Sequence, residues 1–184
     1  MRPPTRNLLS GFTIVELLIT IAIISILASV VLGQLGNARD QAFFSRAQAE
    51  FREFNNALEQ YNLDERSYPE DTARGVVPPG LIDLLPDDGF DSGPWANSQY
   101  SYDAYEVSGE DVVQFSLHFC PAGATDVDDC NFPGKDWADD FDVNSTLFYC
   151  VLGDCRASPS EPQEYPGYCV NCDCQDMAEC YGPE

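Results

Sequence analysis

Residues 12–32, FTIVELLITIAIISILASVVL, hold a single ionisable side chain, Glu16, in an otherwise apolar run. As an α-helix these residues would extend roughly 32 Å at ~1.5 Å per residue, close to the hydrocarbon thickness of a bilayer. The run predicts a single-pass membrane helix and excludes a chain that is water-soluble along its whole length. Residues 1–11 carry Arg2 and Arg6, two prolines and no acid, which suits a stub retained on the inner side by its positive charge. A secretory signal would show a shorter apolar core, a small-x-small cleavage site and then a break in composition, and none of these appears.

No proline occurs between residues 12 and 64, so one helix of about 50 residues is predicted to end near Leu63. Beyond it residues 64–67 are polar, and Pro69 pushes Tyr68 out of helical geometry. Phe44, Ala47, Phe51, Phe54, Leu58 and Tyr61 recur at helical spacing and form a stripe that must be covered by a core or, alternatively, by a coiled-coil partner. Arg46 and Glu50 stand one turn apart on another face and can pair. Gly33 and Gly36 each weaken a helix by roughly 0.5–1 kcal/mol, which predicts a bend or a melting point between its two halves.

Glu16 needs a reason to exist. A carboxylate costs about 2.5–3.5 kcal/mol on insertion scales at the bilayer centre and less near the interface. If the chain is cut after Gly11, Phe12 gains an amino-terminal positive charge about one turn from Glu16, and the two can neutralise each other within a subunit or between neighbours. Residues 11–16, Gly-Phe-Thr-Ile-Val-Glu, with the apolar run behind them, resemble the class III signal of type IV pilins and type II secretion pseudopilins. The resemblance implies cleavage between Gly11 and Phe12 by a membrane prepilin peptidase and N-methylation of Phe12. It also implies that Glu16 pairs with the amine of an adjacent subunit. Leu9 and Ser10 stand where the family commonly has a basic residue before the glycine, and Gly33 stands where it often has proline. Residues 57–70, 80–86 and 93–97 resemble, more narrowly, the head of major pseudopilins.

Residues 100–107 and 112–119 alternate as strands around a turn at 108–111, and residues 146–152 read as a third strand. In the second strand Val113, Phe115, Leu117 and Phe119 share one face, the core face. Gln114, Ser116 and His118 share the other, where His118 is expected to be solvated or hydrogen-bonded. The predicted fold is α+β: a long N-terminal helix, membrane-spanning in its first half and amphipathic in its second, on a small antiparallel sheet with a disulfide-rich C-terminal region. The predicted segments are a leader at 1–11, the membrane or filament-core helix at 12–33 and the amphipathic helix at 34–63. The sheet head follows at 64–156 and a cysteine-rich tail at 157–184.

All eight cysteines, Cys120, Cys130, Cys150, Cys155, Cys169, Cys172, Cys174 and Cys180, lie in the last third, and downstream of a membrane segment they predict disulfides in an oxidising compartment. Eight cysteines allow 105 pairings; local closure favours Cys120 with Cys130 and Cys150 with Cys155. A zinc reading of Cys169 and Cys172 is weaker, because their partner pair is irregularly spaced. Asp140, Asp142 and Asn144 occupy the first, third and fifth places of a calcium loop, but Ser145 and Val151 replace its glycine and its bidentate glutamate. An EF-hand is excluded. A looser calcium site competes with a solvated acidic surface, and no cofactor is required.

From Gly75 onward 22 acidic residues face only Lys135 and Arg156, within a chain of formal charge −22. Such a surface repels nucleic acid. With one histidine and no nucleophile beside a base, the sequence predicts no enzyme. It predicts a structural subunit, pilin or pseudopilin, that begins in the inner membrane as a single-pass precursor. Prepilin peptidase and an inner-membrane assembly platform would then bring it into a periplasmic or extracellular helical homopolymer. The alternatives are a minor pilin or tip adhesin that binds through the cysteine-rich region, and a single-pass anchored binding module that never polymerises.

Overall fold

The computed structural model describes residues 12–85, 90, 92–107, 109–153 and 167–171, without the side chains at 30, 32–35, 37 and 107. The expectations for Gly11 and the leader, and for Cys155, Cys172, Cys174 and Cys180, lie outside the described residues. Two compact units divide the chain, Met1–Arg39 and Asp40–Glu184.

Helix α1 (Ile14–Glu65) contributes to both units. It is unbroken through Gly33 and Gly36, so the predicted melting point is absent. Two glycine penalties of about 1 kcal/mol each are small in a helix this long, where every further residue adds a hydrogen bond to an existing nucleus. In the first unit Phe12, Ile14, Leu17, Leu18, Ile21, Ile24, Ile26 and Leu27 are all exposed. Among the described residues no helix is long and apolar enough to cross a membrane. Description of the apolar side chains is interrupted at 30 and again at 32–35, inside the run expected to span.

In the second unit the helix is amphipathic and its stripe is core. Ala47, Phe51, Phe54 and Leu58 are buried. Phe54 sits among Phe90, Tyr100 and Phe115, with ring centroids 4.7, 4.8 and 5.7 Å away. Each such pair adds about 0.5–1.5 kcal/mol beyond the area it buries. The helix ends on Arg66, whose φ of 58° is left-handed and whose N–H donates to Asn62 O at 2.9 Å.

Four strands form one sheet in the order β1 (Gln99–Val107), β2 (Glu110–His118), β3 (Thr146–Leu152) and β4 (Gly167–Cys169). The β1–β2 ladder extends to Val107 opposite Glu110, so the hairpin is tighter than the predicted 108–111 turn, and Gly109 supplies the required positive φ of 89°. β3 pairs antiparallel to β2 and has the predicted bounds. β4 was not predicted, and it runs parallel to β3, making the sheet mixed. Three residues, one of them glycine, carry no alternation for a sequence to display. Gly167 is needed there because an added Cβ would lie 2.4 Å from Phe148 Cε2. Tyr168 then packs its ring 4.7 Å from Trp137 and 5.6 Å from Phe44.

The two faces of the sheet also depart from the expectation. Val113, Phe115 and Leu117 enter the core as predicted, yet Ser101, Gln114 and Ser116 on the opposite face are buried as well. Burial there is tolerable because the polar atoms satisfy one another. The Asp103 carboxylate accepts from Ser101 Oγ at 3.3 Å, Gln114 Nε2 at 3.2 Å and Ser116 Oγ at 3.0 Å.

Candidate assembly site

A helix begins with N–H groups that have no intrahelical acceptor, and α1 meets that need with its own side chains. Thr13 precedes the first helical residue and Glu16 is the third within it. Glu16 N donates to Thr13 Oγ1 at 3.2 Å, while Glu16 Oε2 accepts from Thr13 N at 2.9 Å and from Thr13 Oγ1 at 2.8 Å. This is a capping box. Both bonds to the carboxylate use one oxygen, so Oε1 is left for another donor. The sequence reading passed over Thr13, although Thr-x-x-Glu before an apolar run is the signature that would have found it.

Every hydroxyl described in the apolar run turns back onto its own helix. Thr20 Oγ1 donates to Leu17 O, Ser25 Oγ to Ile21 O and Ser29 Oγ to Ile26 O, at 2.7–2.8 Å. Such back-bonding removes hydroxyl donors from the surface, as a helix in lipid or in a packed protein core requires. Phe12 is 87% exposed at the head of the run. The site thus combines an exposed aromatic terminus, an oriented carboxylate one turn away and a long apolar surface.

In the head, Arg46 Nε pairs with Glu50 Oε1 at 2.7 Å, and Glu50 Oε2 accepts from Tyr100 OH. Burial and this acidic neighbour push the Tyr100 hydroxyl well above its ordinary pKa. Cys120 and Cys130 are bonded to each other, closing the acidic loop between them. Cys169 is also disulfide-bonded, and its Sγ lies 3.8 Å from Cys150 Sγ. Asp140 and Asn144 are exposed, while Asp142 Oδ1 accepts from Asn144 N at 2.7 Å and Ser145 Oγ at 3.2 Å. These three residues therefore form a capped turn. No three His, Cys, Asp or Glu side chains converge as a metal site among the described residues, and the trio does not fit a calcium cage.

His118 lies behind the sheet. Its Nε2 is 3.4 Å from Ser116 Oγ, and its Nδ1 is buried without a hydrogen-bond partner. Burial first, and the Arg74 guanidinium second, hold its pKa down to about 3. Burial raises the pKa of Asp103 despite its three donors, and lowers that of Arg74. Asp103, Ser116 and His118 superficially suggest a hydrolytic triad. The serine, however, stands between acid and base and is 2% exposed, so it faces neither an orienting base nor a substrate. A cleft of about 530 Å³ is lined by Arg66, Tyr68, Tyr105, Glu106, Asp111 and Leu152, among others, and presents no nucleophile with a base.

The prokaryotic N-terminal methylation motif matches residues 8–32. Type II secretion system core protein G of Aeromonas hydrophila is 30% identical over 143 residues, covering 70% of this chain and 95% of that protein. The protein of the same name from Escherichia coli K12 is 33% identical over 119 residues, covering 56% of this chain and 78% of its own length. That of Pseudomonas aeruginosa PAO1 is 36% identical over 71 residues, covering 39% and 49%. No solved structure matches significantly.

Proposed function

The chain belongs to the family of type II secretion system core protein G, the major pseudopilins, and is a non-enzymatic structural subunit of a pseudopilus; on that premise we propose how its N-terminus drives assembly. Cleavage after Gly11 by prepilin peptidase frees the amine of Phe12, which is then methylated. The subunit waits in the inner membrane with residues 12–33 in lipid and its acidic head in the periplasm. Within one subunit Glu16 is neutralised in part by the Thr13 N–H and hydroxyl. The open Oε1 then receives the Phe12 amine of a neighbour, and the apolar run exchanges lipid for a protein core of like polarity, a transfer with little net change in burial. An inner-membrane assembly platform would carry out the extraction.

The observation that carries this reading is the oriented, singly occupied carboxylate on an apolar surface that the chain itself leaves exposed. Glu16→Ala should abolish filaments seen by electron microscopy of the assembling cell while leaving the head's melting temperature unchanged. Filaments formed at the normal level by Glu16→Ala, or a mature chain whose mass shows a terminus other than Phe12, would refute it. A non-polymerising anchor would tolerate the substitution. The adhesin alternative has no support in the relatives, which are named as secretion components.

A further inference from the structure

We infer that Cys150 and Cys169 are a thiol–disulfide exchange pair, through which the disulfide of Cys169 can move onto the seam between β3 and β4. The two sulfurs are 3.8 Å apart, within van der Waals reach of one another. Cys169 closes β4 opposite Phe148, and Cys150 lies two residues further along β3, so the sheet itself sets them diagonally across adjacent strands. Asn171 fixes that placement. Its Oδ1 accepts from Cys150 N at 2.7 Å and its Nδ2 donates to Cys150 O at 2.7 Å, so one side-chain amide replaces a rung of the ladder after β4 has ended. The same Oδ1 is 4.0 Å from Cys169 Sγ. Gly167 adds a second restraint, since its lack of a Cβ lets β4 approach Phe148 closely.

The chemistry needs no outside oxidant. Each cysteine enters the maturing chain as a thiol, so the pathway operates before Cys150 has been oxidised, whatever it later contacts. A proton leaves Cys150 Sγ for water, and the thiolate attacks Cys169 Sγ. The Cys150–Cys169 bond forms while the existing bond of Cys169 breaks. The electron pair departs on the displaced sulfur, which takes up a proton. One thiol and one disulfide enter, and one of each leaves. The product staples a three-residue edge strand to the centre of the sheet, and the reverse step returns the bond to its former partner. With eight cysteines to sort, a sulfur held beside another's disulfide gives the chain a local route between pairings. Asn171 is the positioning residue of that route.

The test equilibrates the full chain, in detergent, in a glutathione redox buffer, traps thiols by alkylation over time and maps linked peptides by mass spectrometry. Trypsin cuts after Arg156 and places Cys150 and Cys169 on different peptides; fragmentation distinguishes Cys150 from Cys155. The native chain should accumulate a Cys150–Cys169 link well above the level reached in urea, and Cys169→Ser should eliminate it. Asn171→Ala should slow its appearance several-fold while the Cys120–Cys130 link opens at the unaltered rate. A native chain in which that link is absent, or no more abundant than in urea, overturns the proposal, and this comparison depends on no variant's folding. Exchange at the wild-type rate in Asn171→Ala overturns the role of Asn171.

Discussion

In the first unit the apolar side chains are exposed and the hydroxyls are folded back onto their own backbone, whereas in the head the rings are buried and the carboxylates lie outside. One helix sequence serves both arrangements, changing only which groups it offers to its surroundings. Before Arg39 its outer face is uniform in polarity except for Glu16, so a single carboxylate decides how neighbouring copies are set. After Asp40 the outer face is varied and the information lies inward, in an aromatic cluster that fixes the sheet on the helix. An uncovered apolar surface of this extent marks a site for lipid or protein, while a covered one marks a fold able to stand in water.

The contrast is broken most severely by emptying the head's core. Phe54→Ala should cost about 3–5 kcal/mol, because it opens a cavity among Phe90, Tyr100 and Phe115. Chemical denaturation should show a lower midpoint in the head, while membrane insertion of the first unit is retained. Cys120→Ser should cost about 2–4 kcal/mol by releasing the closed loop of the unfolded chain. A melting curve under oxidising conditions, compared with wild type before and after reduction, would show the difference vanish on reduction.

Acid sharpens the comparison, since the groups with shifted pKa values behind the sheet belong to the head. His118 has a folded pKa of about 3 against an ordinary value of 6.5. Between those values the unfolded chain binds the extra proton, so stability rises with pH across this window and is lost as pH falls toward 3. The slope approaches about 1.4 kcal/mol per pH unit at most. Asp103 acts in the opposite sense. Its raised pKa makes the folded state the better proton binder just above the ordinary carboxylate range, so its protonation offsets part of the loss. His118→Gln should flatten the fall in melting temperature between pH 6.5 and 3. The smallest effect belongs to the first unit: Thr13→Val should remove the cap, cost about 0.5–2 kcal/mol of helix stability and reduce filament yield without abolishing it.

Much of this was legible in the sequence because it rested on periodicity. The stripe through Phe51, Phe54 and Leu58 could face only a core, and the bounds of β3 followed from a run of strand formers between turns. The conspicuous placement of Glu16 made the N-terminus readable as well. What escaped depended on contacts between distant residues. Gly167, Tyr168 and Cys169 become a strand only because Phe148 and Trp137 receive them. Gln114 and Ser116 read as solvent-facing because their polarity is plain, while the acceptor that allows their burial, Asp103, lies on another strand. The cysteines gave the chemistry of the tail and withheld its connectivity, since Cys150 meets Cys169 through a parallel pairing that local spacing cannot express.

The strand order has a consequence for the timing of synthesis. A polypeptide is made from its amino end, so α1 and the first hairpin exist long before residues 167–169 do. Until the last of these emerges, β3 presents an unpaired edge to whatever is nearby, including other nascent copies. The head is therefore most vulnerable to wrong partnerships late in its production, and shielding would be most useful in that interval.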